Sequence, residues 1–384
     1  MGERIKVKLN TRIIAFYVLI MCTIINKNEF SGGIRFVLVP VLVSMALFLY
    51  YNLEFGIILK PHYYWNVLFC LSEIGSTFFS KIPNIKRIDV VILEAIIWLC
   101  LYILATSNEY HPEELKAIID FYIVFTAFLS VSAIILFFTG ALEEGRATFK
   151  IFGQIKDQNF VAAFLCPAVP VLLSKMLFSN RPHIINTFVF VSILIAVFFL
   201  GSRGAFLSIF GSSLIIVAYF LIKKRDLRLA IMVLMFFLLS LILFYAGGAL
   251  SGRMLSTDSY TNDVRLYIWG FAIKAFTTNP LFGNGRGANE VFAMRSGSVT
   301  HNTYIEILGD QGLLGMASFL MILYNPFKNV LKTQKVFAAS LLVASFLPLL
   351  FISAYSTINF WLPIILFTII CDYLSTNTFP DLFF

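Results

Sequence analysis

The sequence TNDVRLYIWGFAIKAFTTNPLFGNGRGANE (261–290), followed by THNTYIEILGDQGLLGMASF (300–319), decides how the rest of the chain is interpreted. It is the least apolar long segment, and it contains Arg265, Arg286 and His301 close to glycines. A new apolar run begins within its second half. We interpret the segment as an extracytoplasmic loop and the helix that re-enters a membrane from it. The rest of the chain is expected to hold that loop.

The composition indicates a membrane protein. Of the 384 residues, 59% are hydrophobic and 13% are charged, whereas an ordinary soluble domain has about 45–50% apolar and about 25% charged residues. The apolar residues fall in repeated runs of about 20, the length that spans a bilayer. Because hydrocarbon pairs no backbone polar groups, the spans must be helices. The sequence therefore predicts an all-α, polytopic membrane protein that forms one domain over residues 1–384.

Counting the apolar runs predicts about twelve transmembrane helices. The first follows the basic residues of segment 1–12 and is expected to be retained, because no small-residue cleavage site follows it. The largest hydrophilic part is a loop at 248–301, between the ninth and tenth spans. The remaining spans are predicted at 34–51, 62–80, 88–106, 117–139, 159–178, 184–200, 204–222, 229–247, 302–324, 336–353 and 357–374.

The orientation of the chain follows from alternate counting. From a cytoplasmic N-terminus, the basic segments 223–228 and 325–335 lie inside, as the positive-inside tendency requires. The same count places Lys81–Arg87 and Arg146–Lys150 outside and the acidic segment 108–115 inside, against that tendency. Either one span is miscounted, or these charged residues have a function on that side of the membrane.

Charge and cysteine usage exclude two classes of protein. The net charge of +8 is explained mainly by cytoplasmic Lys and Arg. The basic residues are scattered among the spans and form no patch, so no nucleic-acid partner is expected. The five cysteines lie in or beside apolar runs without CxxC spacing and read as small core residues.

Arg203 stands at the start of an apolar run. Gly204, Ser208 and Ser212 follow at intervals of four and share one helix face, which predicts close approach of a second membrane helix. Arg203 is either an interface charge whose stem lies along the membrane or an arginine at the outer mouth of the bundle that binds an anion. Arginine suits phosphate because its planar fork donates two hydrogen bonds at once.

The loop at 248–301 is predicted to contain a helix. Asn262 or Asp263 caps it, it extends from Val264 to Phe276, and Pro280 closes the segment. Its mostly apolar surface favours a position in the membrane interface. Arg265 is then either a solvated edge of that helix or part of a binding site.

His301 is the sharpest candidate for a proton acceptor. A neutral imidazole accepts a proton near pH 7, and basic neighbours hold its pKa down. The alternative is an ordinary surface histidine. Glu306 and Asp310 either orient the imidazole or are ordinary polar positions. Three glycines at intervals of three predict close helix packing just beyond: Gly309, Gly312 and Gly315.

Two further features limit the possible chemistry. Glu73 and Glu94 fall inside apolar runs, where carboxylates are costly; each is functional or faces a polar partner in the bundle. The sequence has no DxD pair, GxSxG elbow, HExxH or Walker loop, the nearest text to DxD being Asp157–Asn159. Cytoplasmic nucleotide chemistry is therefore not expected.

The order of these motifs resembles that of a known family. DQN precedes one span and SRG opens another, and R-x-x-x-W-G, PLFGNGRG and HNTYIEILGDQGLLG follow. Together they closely resemble the O-antigen ligase and O-antigen polymerase family of bacterial membrane glycosyltransferases. His301-Asn302 with Gly312 and Gly315 fits the family's histidine–glycine signature. The resemblance covers about 149–323, and the first third agrees only in hydropathy.

The resemblance implies a GT-C-like fold in the bacterial cytoplasmic membrane and an undecaprenyl-diphosphate-linked glycan donor. It implies that Arg203 and Arg265 bind the diphosphate and that His301 lies near the acceptor hydroxyl, without a cofactor or metal. The expected partners are the donor, a glycan or lipid acceptor, membrane lipids and a chain-length regulator. The predicted substrate-binding residues are Arg286, Arg146, Lys81, Arg87, Asn302 and Asn159.

Three activities compete at this stage. The generic form of HNTYIEILGDQG favours a polymerase of repeat units over a ligase that transfers the finished glycan to lipid A–core. In either case the expected reaction is metal-independent displacement with inversion. A transporter of lipid-linked sugars is the alternative from another class, and the sequence shows neither the inverted repeats nor the broken helices of transporters. A non-catalytic membrane scaffold is weaker still.

Overall fold

The computed structural model describes residues 2–24, 38–83, 85–143, 145–151, 154–178, 184–224, 259–292 and 300–377. Nearly all of this part of the chain is helical. Two short antiparallel hairpins, β1–β2 and β3–β4, join α5 to α6, and a 3-10 turn at Leu347–Leu350 continues α13. The strands are β1 (Leu142–Glu143), β2 (Arg146–Ala147), β3 (Phe149–Ile151) and β4 (Gln154–Lys156). The helices are α1 (Gly2–Cys22), α2 (Leu38–Phe55), α3 (Tyr63–Phe78), α4 (Ile88–Thr106), α5 (Pro112–Phe138), α6 (Gln158–Leu165), α7 (Ala168–Phe178), α8 (Ile184–Phe199), α9 (Arg203–Lys224), α10 (Ser259–Thr278), α11 (Ala288–Phe292), α12 (Thr303–Asn329), α13 (Lys335–Phe346) and α14 (Ile358–Tyr373).

The helices fit a polytopic membrane protein. Among the described residues, six helical stretches are long and apolar enough to cross a membrane: α2, α4, α5, α6 with α7, α9 and α12. Shorter apolar helices are residues 11–22 of α1, α8, α13 with its 3-10 turn, and α14. The predicted span 229–247 lies outside the described residues. The total of twelve crossings and the GT-C-like arrangement therefore stay predictions.

Hydropathy alone predicts the limits of some helices correctly and misses those of others. Helix α4 has the predicted limits, because its residues are apolar apart from Asp89, Glu94 and Thr106. Helix α5 begins at Pro112, five residues before the predicted 117. Its first turn is polar and is fixed by a capping box in which Glu114 accepts a hydrogen bond from the backbone N–H of His111 at 3.0 Å.

One end of the bundle gathers the loops that flank His301. The backbone N–H of Lys86 donates to the carbonyl of Arg286 at 3.0 Å, so the loop after α3 lies on the loop after α10. The hydroxyls of Thr300 and Ser353 are 3.2 Å apart. We call this end the His301 end. Its described residues are 79–83, 85–87, 139–143, 145–151, 154–157, 200–202, 279–292, 300–302 and 351–357.

The opposite end gathers the remaining described connections. Arg12 forms a buried ion pair with Glu114, and Lys60 pairs with Asp372. Lys86 and Arg146 lie on the side of His301 through their contacts with the loop after α10 and with Leu200, and the orientation of this side in a membrane stays a prediction. The acidic segment 108–115 lies at the other end, where Arg12 neutralises Glu114.

Helix α9 packs on α13 through its stripe of small residues, as the sequence predicted. A Cβ on Gly204 would collide with the ring of Phe351. The Ser208 hydroxyl donates to the carbonyl of Ala344 at 3.1 Å, and Ser340 donates to the carbonyl of Ser212 at 2.7 Å. Close approach therefore brings the first turn of α9 to the segment 351–357.

The predicted loop helix is longer than expected. Helix α10 begins at Ser259, so the predicted caps Asn262 and Asp263 lie inside it, and the proposed start at Val264 is wrong. The helix ends at Thr278, two residues before Pro280, as the proline predicted. Residues 248–258 and 293–299 of the predicted loop lie outside the described residues.

Helix α12 is broken at Gly312, contrary to the prediction of no broken helix. Gly312 has φ 69° and ψ −163°, a conformation that suits glycine. Beyond the break, the N–H of Leu313 donates to the carbonyl of Pro280 at 2.8 Å, and the N–H of Leu314 donates to that of Leu281 at 3.1 Å. The loop after α10 thus occupies the break and supplies the acceptors that a continuous helix would supply itself.

Candidate functional site

His301 lies in a tight turn directly before α12. Its φ of 50° makes it the one residue other than glycine with positive φ among the described residues. Such a conformation is uncommon for a side chain with a Cβ and persists where the surroundings enforce it. Asn302 begins the helix, and its Oδ1 accepts from the N–H groups of Tyr304 at 3.1 Å and Ile305 at 3.2 Å. The helix start therefore fixes the position of the imidazole.

The turn is anchored to the segment between the 3-10 turn and α14. The Thr303 hydroxyl donates to the carbonyl of Ile352 at 2.6 Å and accepts from the N–H of Ala354 at 3.1 Å. Thr300, on the other side of His301, contacts Ser353. These contacts hold both neighbours of the histidine turn on one wall.

Helix α10 supplies a second anchor and a cation. The indole Nε1 of Trp269 donates to the carbonyl of Thr300 at 2.8 Å. Arg265 precedes Trp269 by four residues and lies on the same helix face. The R-x-x-x-W-G motif therefore places a guanidinium next to His301. Burial lowers the pKa of His301, the charge of Arg265 lowers it further, and Asp157 acts in the opposite direction.

Arg203 belongs to the same group of charges. It is the first residue of α9 and is exposed. Burial lowers the pKa of Arg265, and the charge of Arg203 lowers it further while Asp157 raises it. Arg265 therefore lies within electrostatic reach of both Arg203 and His301, the other two predicted catalytic residues. Their catalytic role stays a prediction.

Asp157 is the residue of this group that the sequence analysis missed. Its Oδ1 accepts from the N–H of Asn159 at 2.7 Å and so caps α6. Its negative charge acts on both His301 and Arg265. In the sequence, DQN contributes only to the order of the family motifs and lacks the second aspartate of a DxD pair. The missing signal was distance in space, because α6 and α12 are far apart in sequence.

Arg146 and Asn159 lie at the same end, in contact with each other. The Arg146 guanidinium donates to Oδ1 of Asn159 at 3.2 Å and to the carbonyl of Leu200 at 2.7 Å. Leu200 and Gly201 form the turn that leads into Arg203. Arg146 therefore ties the hairpins after α5 to the entrance of α9.

Arg286 is engaged elsewhere. It is 5% exposed and forms ion pairs with Glu73, at 3.2 Å, and with Glu94. This explains the two intramembrane carboxylates, since each faces the same buried guanidinium. The guanidinium of Arg286 is thus occupied by two carboxylates and is not part of the proposed anion site.

The other predicted substrate-binding residues take separate places. Lys81 and Arg87 are exposed in the loop after α3, where Arg87 pairs with Asp89 at 2.6 Å. Asn302 uses its side-chain oxygen to cap α12. A substrate role for these residues stays a prediction.

The Asp310 carboxylate binds groups of the segment after α10 and the hydroxyl of Tyr355. Its carboxylate accepts from the N–H of Gly287 at 3.1 Å, from Asn289 at 3.0 Å and from the Tyr355 hydroxyl at 2.7 Å. A Cβ on Gly309 would strike Asn289. The close packing predicted from the glycine spacing is therefore made at Gly309 and Gly312, against the segment 281–289 that includes the first turn of α11.

The arrangement suits binding of an anion next to a proton acceptor. Two guanidinium groups near one another offer planar donors for phosphate oxygens. An imidazole with a lowered pKa is neutral near pH 7 and is ready to accept a proton. Within the described part of the chain, no group of three or more His, Cys, Asp and Glu side chains could hold a metal ion.

The chain is similar to a known family over part of its length. Residues 188–320 match the family model described as O-antigen ligase. The matched segment begins in α8 and ends in α12, and it contains Arg203, Arg265 and His301, whereas Arg146 and Asp157 precede it. No curated protein matches the chain.

Proposed function

We propose, from the match of residues 188–320 to the family model described as O-antigen ligase, that this protein is a polymerase of lipid-linked repeat units. The donor is an undecaprenyl-diphosphate-linked oligosaccharide, and transfer takes place at the outer face of the bacterial cytoplasmic membrane. The acceptor is a second lipid-linked glycan. One observation supports the proposal: the charges of Arg265 and Asp157 act on His301, and the charge of Arg203 acts on Arg265. The turn before His301 is fixed by the hydrogen bond from Trp269 to Thr300.

The proposed reaction is a single displacement at the anomeric carbon. The acceptor hydroxyl oxygen forms a bond to that carbon while the bond to the diphosphate oxygen breaks. The hydroxyl proton passes to His301, and the negative charge stays on the departing lipid diphosphate. Arg203 and Arg265 stabilise that charge, and fixed cations do so most effectively where water is excluded. Retention of anomeric configuration in the product would exclude this step.

The roles of His301 and Arg203 can be tested by measuring product formation by purified full-length protein that is supplied with lipid-linked donor and acceptor. We expect His301→Ala and Arg203→Ala to abolish product while the protein still inserts and folds. Arg203→Lys should restore little, because a point charge does not reproduce the planar fork. Lys332→Ala, an exposed cation at the opposite end, is the control and should leave the rate unchanged. A near-normal rate for His301→Ala would remove the proposed base.

Ligation is the second candidate, because the matched family model is described as O-antigen ligase. The surface glycans of a deletion strain distinguish the two activities. Loss of a polymerase leaves one repeat unit on the acceptor. Loss of a ligase leaves lipid-linked polymer that is not attached to lipid A–core. A transporter is less well supported, since the break in α12 is occupied by the loop at 280–283.

The proposal requires the His301 end to face the periplasm. Lys81→Cys and Lys332→Cys place thiols at opposite ends, and four of the five natural cysteines are buried while Cys100 is partly buried. A membrane-impermeant thiol reagent applied to intact spheroplasts should label position 81 and spare position 332. The reverse pattern would place the site in the cytoplasm and exclude this donor. A chain-length regulator as partner stays a prediction.

A further inference from the structure

Arg146 lies between two of the segments that carry the charges around His301. It is half-buried at the start of β2. Its Nε donates to the carbonyl of Leu200 at 2.7 Å, and its Nη2 donates to Oδ1 of Asn159 at 3.2 Å. Leu200 precedes α9 and Asn159 belongs to α6, so one guanidinium joins two segments that are distant in sequence.

The first of these contacts fixes the turn that leads to Arg203. Helix α8 ends at Phe199, so the carbonyl of Leu200 lies at the end of the helix, where carbonyls need a donor from another part of the chain or from water. The helix dipole favours a cation at that end. The turn is tight, since Gly201 has φ 63° and a Cβ on it would lie 3.0 Å from Nε of Arg146. A displacement of this turn therefore displaces Arg203, the first residue of α9.

The second contact holds the start of α6. Asn159 lies in the first turn of that helix, and its N–H donates to Oδ1 of Asp157 at 2.7 Å. The hydroxyl of Thr148 accepts from Nε2 of Gln158 at 3.2 Å and donates to the carbonyl of Arg146 at 3.0 Å. The segment 146–148 thus holds the start of α6, and with it the carboxylate of Asp157, through two side chains.

The two charges that Arg146 holds in place act on the same neighbours. Burial lowers the pKa of Arg265, the charge of Arg203 lowers it further, and Asp157 raises it. Asp157 also acts on His301. The electrostatic balance of the site therefore depends on where Arg203 and Asp157 stand relative to each other.

We infer that Arg146 is a positioning residue, which fixes Arg203 relative to Asp157 and does not bind the diphosphate itself. The inference rests on the proposed function, because it takes Arg203 to be a ligand of the lipid diphosphate. Two nitrogen atoms of the Arg146 guanidinium already donate to protein acceptors, which favours positioning over the substrate binding predicted from the sequence. The planar fork suits this task, since it presents donors in fixed directions to two acceptors at once.

A double-mutant cycle distinguishes a positioning residue from a direct ligand. The probe is undecaprenyl diphosphate, and the readout is its dissociation constant for purified full-length protein with Arg146→Gln, Arg203→Ala or both. Because a misaligned Arg203 loses charge-assisted hydrogen bonds to phosphate, we expect Arg146→Gln alone to weaken binding by about tenfold. In the Arg203→Ala background the same change should weaken binding by less than about twofold, since residues that act through one another are not additive.

The outcomes separate this inference from the proposed function. Equal weakening by Arg146→Gln in both backgrounds would make Arg146 a direct ligand and overturn the inference, and so would an unchanged dissociation constant; in either case the proposed function stands. The proposed function fails, and the inference with it, if the wild-type protein does not bind the probe or if Arg203→Ala binds it equally well. Lys150→Gln, an exposed cation on β3, is the matched control and should change binding by less than about twofold, because exposed charges are screened.

Hydrogen–deuterium exchange of the ligand-free protein provides a second measurement. The amides of segments 158–161 and 200–206 should exchange faster in Arg146→Gln than in the wild type, because both segments lose an anchor, whereas segment 303–309 of α12 should exchange at the same rate. Unchanged exchange at 200–206 would overturn the inference. If Arg146→Gln does not fold, Arg146→Lys, which keeps the positive charge, takes its place in both experiments with smaller changes in the same directions.

Discussion

The indole Nε1 of Trp269 donates a hydrogen bond of 2.8 Å to the carbonyl of Thr300, the residue before His301. Thr300 is 1% exposed, so its carbonyl depends on a protein donor to replace water. The bond fixes the first half of a turn in which His301 takes φ 50°. Trp269 therefore acts on the imidazole through the backbone, as a positioning residue.

Replacement of Trp269 by phenylalanine removes the N–H and keeps an aromatic ring. Since a small misplacement of a reacting group costs up to about 100-fold in rate, we expect Trp269→Phe to lower kcat by about 10- to 100-fold. The affinity for lipid diphosphate should stay within about twofold, because Arg203 and Arg265 are intact. Tyr267→Phe, exposed on the same helix, is the control. A change in affinity alone would contradict the positioning role.

The charge of Asp157 is predicted to set the pH at which activity is lost on the acid side of the pH–rate profile. His301 works as a base in its neutral form, so activity falls as the pH drops through its pKa. That pKa is lowered from the ordinary 6.5 by burial and by Arg265, and Asp157 raises it. Asp157→Asn removes the raising charge, so the acid limb should move to lower pH. Asparagine still caps a helix, which preserves the start of α6.

The measurement is kcat/KM across the acidic range for both proteins. Asp120→Asn serves as the control, because Asp120 pairs with Lys175 at 2.8 Å, away from His301. A limb that moves to higher pH, or that stays in place in Asp157→Asn, would mean that another group controls the acid limb.

Hydropathy predicted most of the helical architecture. Helix α4 and the α6–α7 pair fall where the apolar runs placed them, because a bilayer demands runs of fixed length. The start of α5 was missed, since its first turn is held by the polar capping box around Glu114. The break at Gly312 was also missed, because its acceptors come from Pro280 and Leu281, which no local pattern connects with it.

The sequence predicts the residue types of the candidate site, but it does not predict which of these residues lie close together in space. Arg203, Arg265 and His301 were chosen because their chemistry suits an anion and a proton. Asp157 reaches the same group only through the packing of distant helices. Arg286 looked like a further ligand for phosphate, and its burial between Glu73 and Glu94 depends on contacts that sequence spacing does not encode.

The buried triad of Arg286, Glu73 and Glu94 predicts a stability effect. Arg286→Gln leaves two buried carboxylates without their cation, and loss of one partner of a buried pair costs about 3–5 kcal/mol. We expect a clear fall in the melting temperature of the detergent-solubilised protein. The triple variant with Glu73→Gln and Glu94→Gln should recover much of the loss, because the uncompensated charges are gone.

The exposed ion pair of Arg87 and Asp89 is the control for the buried triad. Arg87 is 80% exposed, and exposed ion pairs contribute little to stability. Arg87→Gln should therefore leave the melting temperature unchanged. Equal effects of Arg286→Gln and Arg87→Gln would show that the triad does not hold the loop at 284–287 onto α3 and α4.

The contact between Gly312 and the loop after α10 predicts which glycines tolerate a methyl group. At Gly312 a Cβ would lie 2.6 Å from the backbone N of Gly283 and 2.6 Å from the carbonyl oxygen of Leu281, and φ is positive. Gly312→Ala must therefore open the junction between the loop and the helix break. We expect loss of folded protein or of activity together with a lower melting temperature. Gly270→Ala is the matched control: a Cβ there meets nothing within 4 Å, and alanine favours the helix by about 1 kcal/mol. Normal stability of Gly312→Ala would show that the loop does not occupy the break.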